Sequence, residues 1–450
     1  MSVPGSIDPL YVDLYELTMA QAYLQSGQIG HATFSLYFRN FPQNRTYYVF
    51  CGLESVISYL ENLKFSESDL EVLEELGLFD GILLDYLSSF EFTGSVRAMR
   101  EGEVFFPNEP VIEVSGPIIE CQIAETFLIN QVNLESMLAT KAARVVEAAD
   151  GRQVVDFASR RTHGLDAGLK LARASYIAGF DGTSNVRAAS DYAIPAVGTM
   201  AHSYISTFDS EVTAFSNYAE SFPDSSTFLV DTYDTLEGVR SAIQVAQKMH
   251  ALGSNLRAIR LDSGDMATLS QQAREMLDEA GLQNVRILAS SGLDEYSVSD
   301  LVSSGARIDG FGVGTRVGAS ADAPFTDFVY KLVEYEGRPM IKLSEGKVSL
   351  PGPKQVFRMY DGEGMFDHDV ITHANLTTDK QESRQLLYEV MENGRPKAAL
   401  PDLNAIRQYH RGQVQRLPPA LLGPTSDATY RVEISEQLNA LSEQLESGGR

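Results

Sequence analysis

The residues best suited to chemistry in this 450-residue chain are polar side chains at the ends of short apolar runs. His202 comes shortly after "PAVGT", Asp231 follows "TFLV", and Asp262 follows "LRAIRL". If these runs are neighbouring parallel strands, Asp231 lies beside His202 and holds one nitrogen of its ring. The other nitrogen is then free to act as a nucleophile or base, whereas a lone histidine at such a position is more often structural.

Arginines lie at the same kind of position. Arg160 and Arg161 come just after "VVDF", and Arg260 lies beside the carboxylates of "RLDSGD". A guanidinium can bind phosphate or carboxylate through paired hydrogen bonds, although an adjacent arginine pair can also hold an acidic surface loop. Together, Arg260 and Asp262 suit a magnesium-bound phosphorylated sugar, with arginine on the phosphate and aspartate on hydroxyls or metal.

Other motifs narrow the chemistry. The glycine-rich "GFGVGTRVG" follows a predicted strand, so its amides can cradle a phosphate, although a plain turn explains it equally well. It lacks the lysine of a P-loop and does not fit a dinucleotide fingerprint. The chain has no G-x-S-x-G elbow and no H-E-x-x-H helix, and its seven histidines show no metal-ligand spacing. These patterns argue against a Walker-type ATPase, a dehydrogenase and the common hydrolases.

A barrel would position these residues. From residue 227 onward, short β-rich runs alternate with helical patterns that end in glycine, and two similar units precede them. Such alternation predicts an α/β fold with a parallel sheet, closed or nearly closed into a barrel, whose active site lies at the carboxyl ends of the strands. The predicted strands are "RQVVDF", "PAVGT", "TFLV", "LRAIRL", "VRILA" and "IDGFGVG".

The rest of the chain has a different pattern. "ATFSLYFR" and "YYVF" alternate like antiparallel strands, and residues 95–120 are typical of a β meander. A long helical pattern leads into the barrel, strand-like patterns return after residue 330, and an acidic amphipathic helix ends the chain. We predict three parts: an N-terminal β-rich domain with flanking helices (1–124), a catalytic α/β barrel (125–330), and a C-terminal segment that packs back on the β-rich domain (331–450).

Composition limits the partners and the compartment. The net charge of −25 argues against nucleic acid, because the phosphate backbone would meet a repulsive field. Two cysteines, Cys51 and Cys121, are too few for a disulfide framework or a four-cysteine zinc site, and a reducing compartment fits them best. With no signal-peptide pattern and no run near the ~20 apolar residues of a membrane span, we expect a cytoplasmic protein without a membrane partner.

Eight segments, in this order along the chain, resemble the nicotinate phosphoribosyltransferases of NAD salvage, which are related to the nicotinamide and quinolinate phosphoribosyltransferases. The resemblance implies the type II phosphoribosyltransferase fold, an irregular parallel α/β barrel packed with a β-rich N-terminal domain. The segments are "DLYELTMAQAYL", "FRNFPQNRTYYVFCGLE", "FASRRTHG", "GFDGTSNV", "GTMAHS", "VDTYDT", "RLDSGD" and "FGVGT".

The resemblance also implies a reaction. The family condenses nicotinate with 5-phosphoribosyl 1-pyrophosphate to form nicotinate mononucleotide and pyrophosphate, and it couples this step to ATP hydrolysis, so that the enzymes are formally ligases. His202 matches the histidine that is phosphorylated, and Asp231 matches the carboxylate that orients it. The family requires Mg2+, for which Asp262 is the ligand we expect here, and it is usually a homodimer with shared active sites.

Residues for the pyridine end follow from the same matching. Tyr15 resembles the aromatic that stacks on the ring from the partner subunit, Phe157 its opposite face, and Arg160 the residue that binds the ligand anion. The nicotinamide enzymes carry an aspartate where this chain has Ser184. Because a buried aspartate repels the carboxylate of nicotinate, its absence favours nicotinate over nicotinamide.

Residues for the phosphate end are implied as well: Arg260 and Asp262 for phosphate and ribose, Gly314 and Thr315 for the 5'-phosphate, and Arg39 for the pyrophosphate. Two alternatives remain at this point. One is a nicotinamide- or quinolinate-specific relative. The other is a non-catalytic barrel that binds a phosphosugar, which predicts damage at the histidine or the arginines, and both are intact here.

Overall fold

The computed structural model describes residues 8–342, 349–376 and 383–447, and the chain divides into two units. The division falls within a long helix near residue 139 and again near residue 324. The predicted boundaries at 124/125 and 330/331 stay predictions. Unit 1 comprises Met1–Ala139, Phe325–Leu422 and Ser426–Arg450, and unit 2 comprises Thr140–Pro324 and Gly423–Thr425.

The N-terminal part of unit 1 contains short strands and helices. The predicted strands "ATFSLYFR" and "YYVF" and the meander are confirmed, except that the meander ends at Pro117, where a helix begins. The elements are α1 (Leu14–Ser26), β1 (His31–Phe38), β2 (Tyr48–Val49), α2 (Leu53–Asn62), α3 (Glu67–Glu75), α4 (Gly81–Ser88), β3 (Ser95–Ala98), β4 (Val104–Phe105), β5 (Ile112–Pro117) and α5 (Ile118–Ile123).

The next helix leads into unit 2, where strands and helices alternate. The strands are β6 (Gln153–Asp156), β7 (Gly182–Thr183), β8 (Thr227–Leu229), β9 (Ala258–Leu261), β10 (Arg286–Ser290) and β11 (Gly310–Val313). The helices are α6 (Glu125–Ala148), a 3-10 turn (Ser159–Arg161), α7 (Leu165–Ala178), α8 (Val186–Tyr192), α9 (His202–Ile205), α10 (Glu211–Ser221), α11 (Thr235–Ala251), α12 (Met266–Glu279), α13 (Glu295–Ser303) and α14 (Thr315–Gly318).

These strands form one parallel sheet in the order β7-β6-β11-β10-β9-β8. The prediction of an α/β fold with an irregular parallel barrel is confirmed, although one of the six predicted strands is wrong. In "PAVGT" only Ala196 makes a bridge, to Thr183, and the sixth strand is β7 instead. β7 has only two residues, Gly182 and Thr183, so it presents no apolar run that a sequence pattern could detect.

The C-terminal part returns to unit 1. The tail helix is confirmed as far as Ser447, and the last three residues of that prediction lie outside the described residues. The elements are β12 (Phe328–Tyr335), β13 (Arg338–Pro339), β14 (Lys354–Tyr360), β15 (Phe366–His373), β16 (Ser383–Gln385), β17 (Tyr388–Glu392), β18 (Arg395–Pro396), α15 (Leu403–Val414), a 3-10 turn (Pro419–Leu421), β19 (Arg431–Ile434) and α16 (Glu436–Ser447).

Three sheets organise unit 1. A seven-stranded sheet has the order β13-β12-β1-β5-β3-β17-β18, a four-stranded sheet has the order β16-β14-β15-β19, and β2 pairs with β4. Strands from both ends of the chain meet in the first sheet, where Phe34 of β1 stacks on Tyr330 of β12 with ring centroids 4.8 Å apart. Within the described residues, no helix has the length and apolar content that crossing a membrane requires.

Candidate active site

The carboxyl ends of the parallel strands in unit 2 lie side by side. Asp156, the last residue of β6, is in register with Val313 of β11 and with Thr183 of β7. Ser290, the last residue of β10, is in register with Gly312 of β11. The residues that follow these strands therefore meet at one edge of the sheet, which is where the polar groups of parallel barrels act.

Arg260 is held at this edge by several hydrogen bonds. Its Nε donates to Ser290 Oγ over 2.9 Å, and its Nη1 donates to Thr199 Oγ1 over 2.6 Å and to the Met200 carbonyl over 3.3 Å. Its Nη2 lies 3.2 Å from Asp262 Oδ1, and Ser290 Oγ donates to the same carboxylate oxygen. Because a guanidinium has five N–H groups, one Nη2 hydrogen remains for a ligand anion.

A cavity of about 360 Å3 opens beside Arg260 within unit 2. The Phe157 ring lies in its wall, and the Arg260 guanidinium carbon is 5.8 Å from the centre of that ring. The ring packs on Gly312, where an added Cβ would lie 2.6 Å from Phe157 Cδ2 and Cε2. An aromatic face next to a cation, in a cavity of this size, suits a planar aromatic anion.

His202 begins the short helix α9, and its ring is 45% exposed. Its Nδ1 lies 3.1 Å from Thr232 Oγ1, and its Nε2 lies 3.8 Å from Asp262 Oδ2. The predicted hydrogen bond from Asp231 to the ring is therefore wrong in this structure. The carboxylate of Asp231 faces the next loop instead, where its Oδ2 accepts from the Asp262 amide over 3.0 Å and from Ser263 Oγ over 2.6 Å.

Carboxylates at this edge fit a magnesium ion that arrives with a phosphorylated ligand. The Oδ1 atom of Asp231 is buried and accepts no hydrogen bond from any described residue, so its lone pairs are not engaged by the protein. The Oδ2 atom of Asp262, after the neighbouring strand, lies 3.8 Å from His202 Nε2. Within the described residues, no cluster of three or more acidic, histidine or cysteine side chains forms a metal cage. Mg2+ usually takes one or two carboxylates and completes its shell with phosphate oxygens and water.

Arg160, Arg161 and Ser184 lie on the exposed rim of the same edge. The two arginines form the 3-10 turn after β6, and Ser184 follows β7. Neither guanidinium has a carboxylate partner among the described residues. In a chain with a net charge of −25, two unpaired arginines at the carboxyl edge are available to a ligand anion.

Asp156, buried at the end of β6, holds the backbone of this rim through hydrogen bonds. Its Oδ2 accepts from Thr183 Oγ1 over 2.6 Å, and its Oδ1 accepts from the Ala158 amide over 2.7 Å. Burial raises the pKa of this carboxyl. These bonds tie the end of β6 to β7, so Asp156 fixes the backbone on both sides of Phe157 and immediately before Ser184.

Gly314 and Thr315 lie where β11 turns into α14. Gly314 has φ −133° and is the N-cap of this four-residue helix, and Thr315 is its first residue. The Gly314 carbonyl accepts from the amides of Val317 and Gly318, over 3.1 and 3.0 Å. The adjacent Arg316 is held by Asp294 at 2.6 Å, so this guanidinium, unlike Arg160, is already paired.

Two predicted site residues, Tyr15 and Arg39, belong to unit 1. The Tyr15 ring on α1 is 44% exposed, and partial burial near Glu125 raises the pKa of its hydroxyl. The Nε and Nη2 atoms of Arg39 are buried and have no hydrogen-bond partner among the described residues. The Arg39 guanidinium lies 5.9 Å from the centre of the Tyr37 ring.

Sequence reasoning did not identify four residues that organise the site: Asp156, Thr183, Thr199 and Thr232. Each contributes a short side chain whose hydrogen bond goes to a neighbouring protein group, so none of them is an obvious candidate for binding a ligand directly. Asp156 had a detectable signal, because it is an acidic residue at the end of an otherwise apolar run. The threonines had none, since a hydroxyl near a strand end is common in any loop.

The fold and this edge define a class, namely α/β-barrel enzymes that bind an anionic aromatic ligand and a phosphorylated ligand at the carboxyl ends of the strands. Within this class, models of known protein families identify the family to which the chain belongs. They match residues 10–133 (nicotinate phosphoribosyltransferase N-terminal domain), 152–349 (nicotinate phosphoribosyltransferase family) and 373–442 (nicotinate phosphoribosyltransferase C-terminal domain). The chain belongs to the nicotinate phosphoribosyltransferase family.

Individual relatives agree with this assignment. The chain is 47% identical to the nicotinate phosphoribosyltransferase pncB2 of Mycobacterium tuberculosis, over 97% of this chain and 94% of that protein. It is 40% identical to the nicotinate phosphoribosyltransferase of Bacillus subtilis, over 95% and 93%. The crystal structure of human nicotinic acid phosphoribosyltransferase matches with a TM-score of 0.86 at 27% identity, over 96% of this chain and 99% of that one.

Proposed function

We propose that this protein condenses nicotinate with 5-phosphoribosyl 1-pyrophosphate, forming nicotinate mononucleotide and pyrophosphate in NAD salvage. The observation that carries the proposal is the cavity in which Phe157 offers an aromatic face next to the Arg260 guanidinium, in a chain of this family. The pyridine ring fits against Phe157, and the exposed Arg160 and Arg161 attract its carboxylate.

The proposed chemistry is a displacement at C1 of the ribose. The ring nitrogen of nicotinate forms a bond to this carbon while the bond from the carbon to the pyrophosphate oxygen breaks. Positive charge develops on the sugar and negative charge on the leaving group, so the fixed cation of Arg260 stabilises the transition state. The carboxylate of Asp262 binds ribose hydroxyls, Gly314 and Thr315 bind the 5'-phosphate, and Arg39 binds the pyrophosphate.

Mg2+ belongs to this proposal as the ion that arrives with the pyrophosphate. When bound, it neutralises the charge that develops on the leaving group. Asp262 is the predicted ligand, and Asp231 Oδ1, which accepts no hydrogen bond from the described residues, is a second carboxylate oxygen on the neighbouring loop. We propose that these two carboxylates hold the ion together with pyrophosphate oxygens and water, without a third protein ligand.

Coupling to ATP is the second part of the proposal. His202 takes the γ-phosphoryl group and later releases it to water, which makes the enzyme formally a ligase and a phosphoprotein. The 45% exposure of the His202 ring supports this role, because the ring can be reached by a nucleotide. We expect His202→Ala to lose both phosphoenzyme formation and stimulation by ATP while it keeps weak ATP-independent transfer. Acid-labile label from γ-labelled ATP on His202→Ala would contradict this part.

A homodimer with shared sites is the third part. Three large apolar side chains at the carboxyl edge of unit 2 are strongly exposed: Leu165 (83%), Val186 (80%) and Tyr233 (69%). Unit 1 exposes another apolar set on and before α1, consisting of Tyr11, Leu14 and Tyr15. Apolar surface around a polar cavity is typical of a contact with another subunit. We propose that α1 of one subunit covers the cavity of the other and supplies Tyr15.

Mixing experiments test this arrangement. Chains carrying Tyr15→Ala and chains carrying His202→Ala are each expected to be impaired in ATP-stimulated transfer. If the sites are shared, a mixed dimer has one site with both residues intact, and activity returns to about a quarter of the wild-type value in a statistical mixture. No recovery in dimers shown to exchange subunits would count against the shared site.

A substrate panel tests the main proposal. Purified protein receives nicotinate, nicotinamide or quinolinate with 5-phosphoribosyl 1-pyrophosphate and Mg2+, and the mononucleotide is quantified. We expect product from nicotinate, because Ser184 introduces no negative charge beside the carboxylate. Product from nicotinamide or quinolinate alone would establish the alternative specificity. We place the reaction in the cytoplasm, in agreement with the two buried cysteines Cys51 and Cys121, which form no disulfide in the part of the chain that the structure describes.

A further inference from the structure

Unit 1 contains a cavity of about 470 Å3 that shares no residue with the cavity beside Arg260. It lies between the carboxyl end of β3, the strand β17 and the first half of α15. None of its residues takes part in the proposed transfer. A cavity of this size, with mostly apolar walls, is typical of a binding site for a small organic molecule. The apolar wall includes Leu53, Met99, Val390, Leu400, Pro401 and Ile406.

Arg100 places a positive charge in the wall of this cavity. Its guanidinium carbon lies 4.6 Å from the centre of the Tyr388 ring and 5.9 Å from the centre of the Tyr409 ring. Among the described residues, the guanidinium has no carboxylate partner and donates no hydrogen bond. In a chain with a net charge of −25, this charge is therefore available to a ligand anion.

The other charged side chains of the wall are engaged by protein groups. Glu101 is buried, and its Oε1 accepts from the two backbone amides at the start of α2, over 2.8 and 3.2 Å. Glu389 and Lys397 form an ion pair with each other. Of the charged groups that line the cavity in the described part of the chain, the Arg100 guanidinium is thus the one left for a ligand. The cavity therefore favours an anion over a cation.

The two tyrosine rings next to this cation are held in place. The Tyr409 hydroxyl donates to Glu103 Oε2 and accepts from Arg384 Nη1, which fixes the ring on α15. Tyr388 is the first residue of β17 and is in register with Ala98 of β3. Fixed aromatic faces beside a guanidinium suit a ligand whose ring stacks on a tyrosine and whose carboxylate bonds to the arginine.

We propose that this cavity is a second ligand site, which binds an aromatic carboxylate larger than nicotinate. The rings of the ligand lie against the apolar wall and the two tyrosines, and its carboxylate pairs with Arg100. A single pyridine ring would leave most of the 470 Å3 empty, whereas a body of two rings contacts both the tyrosines and the aliphatic side. This site is independent of the proposed transferase function.

The test uses the full-length protein and para-benzoylbenzoate, a two-ring carboxylate whose ketone bonds covalently to nearby C–H groups in near-ultraviolet light. Peptide mass spectrometry locates the label at each probe concentration. We expect saturable labelling within residues 98–101 and 388–409, with half-saturation on the order of 0.1 mM. Excess para-phenylbenzoate should suppress this label. The uncharged para-phenylbenzamide has nearly the same shape and should compete about 10-fold less well.

Two variants test the charge and the space separately. Arg100→Gln removes the cation, and we expect half-saturation to need about 10-fold more probe. Arg411→Gln is its control, because Arg411 is exposed on α15 and lies outside the cavity. Ala405→Trp fills the cavity from an exposed position of α15, and we expect the label to fall about 10-fold or more. Ala440→Trp, exposed on α16, is the control for the added indole.

The site is supported if both Arg100→Gln and Ala405→Trp weaken the label and both controls keep it within about 2-fold. Label found only elsewhere, for example on peptides of the cavity beside Arg260, would overturn the proposal. Label that Arg100→Gln leaves unchanged would show that the arginine does not bind the carboxylate, and label that Ala405→Trp leaves unchanged would place the probe outside the cavity. Either result contradicts the proposal. If Arg100→Gln does not fold, the comparison of para-phenylbenzoate with para-phenylbenzamide tests the same charge.

Discussion

The ring of Phe157 lies directly on Gly312, so closely that a Cβ at position 312 would come within 2.6 Å of the ring carbons Cδ2 and Cε2. Phe157 follows β6 and Gly312 is the penultimate residue of the neighbouring strand β11, and the Arg260 guanidinium lies 5.8 Å from the centre of the same ring. The absence of a side chain at Gly312 therefore sets the position of the aromatic wall of the cavity.

Gly312→Ala tests this relationship. The added methyl group must displace the Phe157 ring, because no smaller shift relieves a 2.6 Å contact. We expect KM for nicotinate to rise about 10-fold or more with a smaller change in kcat, since ring binding is what is lost. Gly412→Ala is the control, because its methyl group meets no atom within 4 Å. An unchanged KM for nicotinate in a folded Gly312→Ala protein would remove Phe157 from the ring site.

Arg260→Lys tests the fixed guanidinium. Lysine keeps the positive charge but cannot donate to Ser290, Thr199 and Asp262 at the same time, so the cation is no longer oriented. We expect kcat/KM for 5-phosphoribosyl 1-pyrophosphate to fall by about 30- to 1000-fold, equivalent to about 2–4 kcal/mol. Arg240→Lys, on the exposed face of α11 in unit 2 and bonded to Glu237, should stay within about 2-fold. Equal effects from both substitutions would show that only net charge matters.

Ser184→Asp tests the choice of pyridine. The new carboxylate follows β7 at the rim of the site and repels the carboxylate of nicotinate. We expect kcat/KM for nicotinate to fall about 10-fold or more, while that for nicotinamide rises or stays constant. Ser184→Asn has nearly the same size without the charge, so it separates electrostatic from steric effects. If Asn and Asp have the same effect, charge at this position does not discriminate.

Glu16→Gln tests a pH-dependent term in stability. Burial raises the pKa of Glu16 on α1 to about 8, and its Oε1 accepts from the Thr126 amide and hydroxyl. Between pH 5 and 8 the folded state holds a proton that the unfolded state has lost, so this group's contribution to stability falls as pH rises. Glutamine keeps the acceptor and cannot ionise. We expect the wild-type Tm to decrease from pH 5 to pH 8 relative to the Tm of Glu16→Gln. The difference corresponds to a loss in the free energy of unfolding on the order of a few kcal/mol. Parallel Tm curves would show that Glu16 is ionised in the folded protein.

Much of the barrel could be predicted because its strands are apolar runs separated by helical patterns of sufficient length. "TFLV", "LRAIRL" and "VRILA" each correspond to a strand, β8, β9 and β10. β7 could not be predicted, because two residues pair by position in the sheet and not by their own apolar character. "PAVGT" has a strand-like composition, but only Ala196 finds a partner.

The site was predictable to the level of strand ends and not to the level of atoms. Asp231 and His202 lie at the same edge, as the sequence indicated, but strand order does not decide which side chain of the loop after β8 contacts the ring. The Asp231 carboxylate accepts a hydrogen bond from an amide of the next loop, and the adjacent Thr232, not Asp231, contacts the His202 ring. Arg260 and Asp262 were predicted from their charge, whereas the hydroxyls of Thr199 and Ser290 that orient them are recognised only from distances.

The most direct test of the central proposal is a 31P NMR time course of one reaction that contains the protein, nicotinate, 5-phosphoribosyl 1-pyrophosphate, Mg2+ and ATP. We predict that nicotinate mononucleotide and pyrophosphate appear together with ADP and phosphate, and that omitting nicotinate stops mononucleotide formation. A folded, dimeric protein that forms no nicotinate mononucleotide under these conditions would contradict the proposed function.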